Sequence, residues 1–452
     1  MNRRKFLGGA AAASLAVAGA RPLNATGESS FPVPDLCGCD AFIGQAGRRQ
    51  NTVDMFKDVN TTLRVTNMKV FGVSIQKDSD RPYVFVKIET NQGIVGWGEA
   101  TLEGKAGAAM ACVLDFHDFI VGTDPLQVEH LWESMYVQTF YRAGPVIGSA
   151  ISGIDQALWD IRGKVLGVPV YQLLGGPHDE RGVRGYYHAE NARTDEDLAQ
   201  LRETALSTGI SCFKVGLPDN AYEWIETTAK IDRAIKHMAR YREKLGDSID
   251  IAVDFHAKTS PAVASILCKE VEPLHLLWAE EPCPPENVSA MAKIARHTTT
   301  PIATGERLVA NYGFRELIEK GVADILQPDI NHAGGITGIR KIGAMANYSN
   351  ISIAPHACEG PIGGLATLHI DSSMPNFLVQ EICSYAVPGE KEKIWEDWLG
   401  FAPMRMVNGR FPLPKKPGLG FELSEDALAK YPFGGTRPMP RSFQVDGSVA
   451  EF

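Results

Sequence analysis

Three short apolar runs between Ile251 and Glu306 read IAVDFHAK, LLWAEEP and PIATGE, and they carry Asp254, Glu280 and Glu306 at successive intervals of 26 residues. That interval is one βα unit of a parallel barrel, a short buried strand followed by a helix-length return. A strand that ends in an acid is by itself commonplace, because the chain there meets solvent. Three in phase, each closing an apolar run, instead place three carboxylates on adjacent strands at the same end of a barrel. Such a set of oxygen donors suits a hard divalent cation such as Mg2+.

The same reading extends along the chain. Apolar runs at Val183–His188, Cys212–Gly216, Ile249–Asp254, Leu276–Glu280, Pro301–Glu306, Asp324–Pro328, Ile351–Pro355 and Phe377–Glu381 alternate with helix-length segments. Eight such runs make a (β/α)8 barrel over residues 181–385. Upstream, MKVFGVSIQ, YVFVKIET and IVGWGEAT are separated by turn residues and predict an antiparallel meander. A helical region follows from about Gly104 to Leu174, with Ile151, Ile154, Leu158, Ile161 and Val165 at helical spacing and Gly167-Val168-Pro169 as its stop. Residues 66–180 therefore read as an α+β capping domain. Residues 386–452, Pro-rich and without periodicity, are expected to pack back on it. The fold class predicted is α/β, a modified TIM-like barrel with this cap.

The N-terminus has a different character. MNRRKFLGGAAAASLAVAGA joins Arg3-Arg4 to a short apolar run and a small-residue end, the pattern of a twin-arginine export signal over residues 1–20. A periplasmic protein with no membrane span after signal removal is the expectation, and residues 21–65 read as a linker or N-terminal extension. The formal charge of the 452-residue chain is −9, and loss of Arg3, Arg4 and Lys5 makes it more negative by three. This argues against nucleic acid as a partner, while leaving room for a small anionic substrate beside a bound cation. The eight cysteines are scattered, with no second pair to complete a zinc site around Cys37 and Cys39. Reduced, buried cysteines are the simpler expectation.

Functional residues of a barrel sit at the C-terminal ends of its strands. Those positions hold Lys214, Asp254 with His256, Glu280, Glu306 with Arg307, Asp329, His356 and Glu381. Asp329 follows Gln327-Pro328, and His356 follows Ala354-Pro355 on the next run, 27 residues later. Neighbouring parallel strands bring such a pair within hydrogen-bonding reach. A carboxylate on one ring nitrogen fixes the tautomer and raises the basicity of the other, which makes a general base. His256, two residues after Asp254, is an acid beside the metal site or an outer hydrogen bonder. Arg307 either contacts substrate or pairs with a neighbouring acid.

Together the acid trio, the Asp-His pair and GIVGWGE resemble the enolase superfamily in its mandelate racemase branch, and most nearly its galactonate dehydratase group. The stretches that carry the resemblance include IETNQGIVGWGEA, VDFHAK, AEEP, TGERL, ILQPDINHAGGIT, APHACEGPIG, LVQE and KPGLGFEL, from about Met68 onward. The resemblance implies Mg2+ on Asp254, Glu280 and Glu306, and His356 with Asp329 as the base that removes a proton alpha to a carboxylate. It further implies His256 as the acid for a departing 3-hydroxyl and Glu381 as a hydrogen-bonding partner of the enolate. That last role needs Glu381 protonated or sharing a proton.

The implied reaction is dehydration of a sugar acid, D-galactonate first, to a 2-keto-3-deoxy acid by a homo-oligomeric hydro-lyase. Related racemases carry Lys-x-Lys on the second barrel strand. Here Cys212 stands in the first position and only Lys214 remains, a candidate for the substrate carboxylate. An epimerase or racemase on the same scaffold and a non-catalytic sugar-acid binding protein are the alternatives. Two stretches depart from the galactonate dehydratase pattern, Tyr186–Asn191 at the end of the first barrel strand and the loop Ile75–Arg81.

Overall fold

β-branched and aromatic residues shape the first three strands, β1 (Val65–Val73), β2 (Tyr83–Thr90) and β3 (Val95–Glu99), which pair antiparallel in the order β1-β2-β3. The structure, a computed structural model, describes residues 62–76, 81–189, 192–218, 224–358, 360–382, 389–444 and 446–450. The export signal, most of the linker, Cys37, Cys39 and Cys383, Lys77–Asp80 of the departing loop, and Glu190 and Asn191 lie outside these. The meander is where the sequence places it, although β1 starts three residues before Met68, at Val65.

Packed on this sheet is a helix at Pro145–Leu166, started by proline and stopped by Gly167, whose φ of 71° closes the last turn. Most of its side chains are buried, and three buried polar ones tie it to β3, to the segment 331–337 and to Leu419. Asp155 accepts Thr337 N–H at 3.0 Å and the Thr337 hydroxyl at 2.5 Å. Gln156 accepts Glu99 N–H at 3.0 Å and donates to Asn331 Oδ1 at 3.0 Å. Asp160 accepts from Trp97 N–H at 3.0 Å and Leu419 N–H at 2.8 Å. Buried polar groups of this kind are costly unless satisfied, so they fix the relative positions of the elements they join.

The barrel follows. Its strands are β4 (Val183–His188), β5 (Cys212–Gly216), β6 (Asp250–Asp254), β7 (Trp278–Glu280), β8 (Ile302–Thr304), β9 (Ile325–Leu326), β10 (Ser352–Ile353) and β11 (Gln380–Ile382). They are hydrogen-bonded in parallel in the order β10-β9-β8-β7-β6-β5-β4-β11. The ring closes where Ile353 N–H donates to Asn376 O at 2.9 Å and Leu378 N–H to Ile353 O at 2.8 Å. All eight apolar runs are strands, several shorter than their runs. A further short strand, β12 (Arg410–Phe411), pairs antiparallel with β4.

After β12 the chain returns to the N-terminal elements. Val170 N–H donates to Gly418 O at 3.0 Å, and Glu425 receives Lys87 Nζ at 2.5 Å. Among the described residues no helix is long and apolar enough to cross a membrane. Cys112, Cys212, Cys268 and Cys283 are free thiols, so the expectation of reduced cysteines holds for these four, whereas Cys358 is disulfide-bonded.

Candidate active site

The barrel interior explains why the polar residues meet. Tyr186, Cys212, Ala252, Trp278, Ala303, Ile325, Ala354 and Val379 pack as one buried layer, one residue from each strand or its immediate flank. Side chains alternate along a strand, so two residues further on the chain again faces inward. Those positions are His188, Lys214, Asp254, Glu280, Gly305, Gln327, His356 and Glu381. The site is thus the layer above an apolar plug.

Asp254 and Glu280 end β6 and β7 and stand opposite each other in register. Glu306 does not end its strand. It lies two residues beyond Thr304, past Gly305, whose φ of +140° is open to glycine and strained for other residues. The equal spacing in sequence therefore conceals a turn, yet ligand-type oxygens of the three residues lie within 4.8 Å of one another. The donor set fits a hard cation. Glu306 Oε2 is buried with no hydrogen-bond partner, and Glu280 is pushed up to about 8 by burial and by the carboxylates of Asp254, Glu381 and Glu306, against the opposing effect of Lys214. Three crowded anions that hold a proton for want of charge are relieved by a divalent ion.

Lys214, wholly buried, places Nζ 3.1 Å from Asp254 Oδ2, 2.9 Å from Glu280 Oε1 and 2.5 Å from Glu381 Oε1. Its three ammonium protons face three carboxylates, so its first task is to balance their charge. Arg307 makes a two-pronged pair with buried Glu281, Nε to Oε1 at 3.1 Å and Nη2 to Oε2 at 2.7 Å. Each partner directly follows a ligand-type acid, so the pair ties the ends of β7 and β8 together.

On the other side of the trio, His356 Nδ1 lies 2.6 Å from Asp329 Oδ2. The second Asp329 oxygen accepts Asn331 N–H at 2.6 Å. This leaves Nε2 of His356 directed at the carboxylates, 3.6 Å from Glu306 Oε2 and 4.0 Å from Glu381 Oε2. Burial disfavours charge on His356, but Glu306, Glu381 and Asp329 outweigh it and hold its pKa well above the usual imidazole value. A cation on Glu306 works in the opposite direction, toward a neutral base.

His256 reaches the site by backbone strain. His256 and Ala257 have φ of +44° and +52°, and this left-handed turn brings His256 Nε2 to 3.0 Å from Asp254 Oδ2. Its backbone N–H donates to Asp254 Oδ1 at 2.8 Å. Burial lowers its pKa, yet Asp254 and Glu306 raise it to about 9, and its side chain remains 39% exposed. A partly exposed imidazole at the rim, beside the carboxylates, is placed to give up a proton.

Two contributors escaped the sequence reading. Glu281 was hidden as the second acid of AEEP. His188, at the end of β4, places Nε2 2.6 Å from Glu381 Oε1. Its position two residues past inward-facing Tyr186 was the available signal.

Residues 57–175 match the mandelate racemase / muconate lactonizing enzyme N-terminal domain, and residues 196–427 match the enolase C-terminal domain-like family. The chain is 37% identical over 380 residues to D-galactonate dehydratase of Ralstonia pickettii, covering 82% of this chain and 96% of the relative. It is 38% identical over 389 residues to that of Pectobacterium atrosepticum, covering 85% and 100%. Among solved structures, an enolase from Pantoea ananatis with bound D-gluconate and Mg aligns with a TM-score of 0.77 at 28% identity, covering 86% of this chain and all of that one. An enolase superfamily member from Salmonella Typhimurium aligns at 0.74 and 31% identity, covering 82% and 98%. This chain belongs to the enolase superfamily, in the mandelate racemase and muconate lactonizing enzyme family, as a galactonate dehydratase-like hydro-lyase.

Proposed function

We propose that the protein dehydrates an aldonate, with D-galactonate the first candidate, to a 2-keto-3-deoxy acid with the help of Mg2+. The observation that carries this reading is the Asp329–His356 pair, which aims Nε2 at the carboxylate trio from the far side of Glu306. Asp254, Glu280 and Glu306 are the residues to hold Mg2+, which when bound supplies the positive charge that a proton alpha to a carboxylate needs before an imidazole can remove it.

In this reading Asp329 fixes the Nδ1 proton of His356, and Nε2 takes the proton from the substrate's alpha carbon. His256 delivers its proton to the 3-hydroxyl, which departs as water, since hydroxide is a poor leaving group. Lys214 balances the carboxylates around the anion that forms. The similarity to curated D-galactonate dehydratases and to a relative with bound D-gluconate and Mg supports a sugar-acid substrate. Because Lys214 is taken up by three acids, the residues favour proton removal from one face over two-base racemisation.

The test is turnover by purified protein with Mg2+ across galactonate, gluconate, arabinonate, fuconate and their epimers. A semicarbazide-reactive keto acid is expected. Deuterium exchange at the alpha carbon without loss of the 3-hydroxyl would identify an epimerase, and calorimetric binding without turnover would identify a binding protein. We further infer export by the twin-arginine route to the periplasm. The Arg3-Arg4 signal and the disulfide at Cys358 support this, and cell fractionation with an Arg3→Lys, Arg4→Lys double variant tests it.

A further inference from the structure

Glu381 is wholly buried, and both of its oxygens are engaged. Oε1 faces Lys214 Nζ at 2.5 Å and His188 Nε2 at 2.6 Å. Oε2 accepts Ala357 N–H at 3.2 Å and lies 4.0 Å from His356 Nε2. The proposed reaction builds negative charge on the substrate next to this group, where a bare carboxylate would repel it. Lys214 cannot cancel that repulsion alone, because its single charge is shared with Asp254 and Glu280. A second source of a proton is required. His356, 4.0 Å from Oε2, must itself be unprotonated to act as the base, so the donor falls to the neighbouring strand: β11 lies against β4, and His188 ends β4.

We propose that His188 is the positioning residue that holds a proton against Glu381, so that this acid enters the reaction as half of a neutral pair and not as a bare anion. Three features of the structure support the assignment. The 2.6 Å separation between Nε2 and Oε1 is that of a short, charge-assisted hydrogen bond. His188 is held in place by its own strand, with its ring parallel to that of Tyr186 two residues earlier, 6.5 Å between centroids and 6° between planes. Its register partner on β5 is Lys214, so both donors to Oε1 come from adjacent strand positions.

The activity arm of the test rests on the proposed dehydration, while the spectroscopic arm does not. H188Q keeps a neutral hydrogen-bond donor toward Glu381 but carries no ionisable proton, whereas H188L keeps neither. With Mg2+ and the aldonate that the wild type turns over, kcat should fall about 100-fold in both variants, with KM changed less than about threefold. Retention of near-wild-type kcat by H188Q would reduce His188 to a packing and orienting role and overturn the proposal.

Proton NMR of 15N-histidine-labelled protein gives the second reading. The wild type should show a strongly low-field ring proton on His188 that persists in H356N and vanishes in both H188Q and E381Q. Absence of a low-field proton common to His188 and Glu381 would overturn the proposal even if the wild type is an active dehydratase. If the wild type turns over no aldonate, the functional reading fails and the resonance still decides the pairing.

Discussion

The Glu99 carboxylate accepts the backbone N–H of Gly360 at 2.7 Å through Oε1, tying β3 to the loop that carries His356. Its second oxygen accepts Gly363 N–H at 2.9 Å, so Glu99 caps the helix Pro361–Asp371 from outside the barrel. A Cβ on Gly360 would come within 2.4 Å of that carboxylate, which leaves room for glycine alone. The GWGE segment thus acts on the base of the site without touching it.

Glu99→Gln should therefore weaken both the fold and the site. The amide turns a donor toward a backbone N–H, and the loss of a charged helix cap costs about 1–2 kcal/mol. Urea unfolding should show the stability loss, and kcat should fall as the His356 loop loosens. Unchanged stability would remove Glu99 from the capping role.

His356→Asn should abolish turnover together with deuterium exchange at the alpha carbon. Asp329→Asn keeps the shape but no longer fixes the ring tautomer, and a fall in kcat of about 10²–10⁴-fold is expected. An Asp329→Asn enzyme of wild-type rate would show that the 2.6 Å contact to His356 is structural only.

Mg2+ should raise the melting temperature in a concentration-dependent way, because it binds the folded trio and not the unfolded chain. Asp254→Asn and Glu280→Gln should lose that shift, and EDTA should reverse it and stop turnover. Full activity after exhaustive chelation would sink the metal assignment.

Acid should destabilise the protein through His369, which lies on the helix Pro361–Asp371 between the proposed base and Glu381 in the chain. Burial lowers its pKa to about 4, and Nδ1 accepts Tyr171 N–H at 3.1 Å, which requires the unprotonated nitrogen. The unfolded chain, with a pKa of about 6.5, binds the proton first. Stability is then fully present above about pH 6.5 and is lost as pH falls toward 4, by about 1–3 kcal/mol. His369→Gln should flatten this part of the stability profile, and equal slopes in both proteins would refute the attribution.

Much of this site was legible before any fold was known, because a barrel strand is short, buried and periodic. Asp254, Glu280, Asp329, His356 and Glu381 follow their apolar runs, and parallel neighbours bring them together. Arg307 was left between substrate and a neighbouring acid, and the structure pairs it with Glu281. His188 was not singled out because its inward position, two residues past Tyr186, gains meaning only once β11 is seen beside β4.

The sequence by itself determined the order of strands and helices, the inward acids and the Asp329–His356 pair, since local periodicity and chain direction dictate all of these. Only the tertiary structure decided which charges meet. The closure of β11 against β4 places Glu381 with Lys214 and His188, residues 167 and 193 positions away in the chain. The positive-φ turns at Gly305 and His256 swing Glu306 and His256 onto the trio. Ring closure and positive-φ turns depend on the packing of the whole barrel, and no local pattern of residues records them.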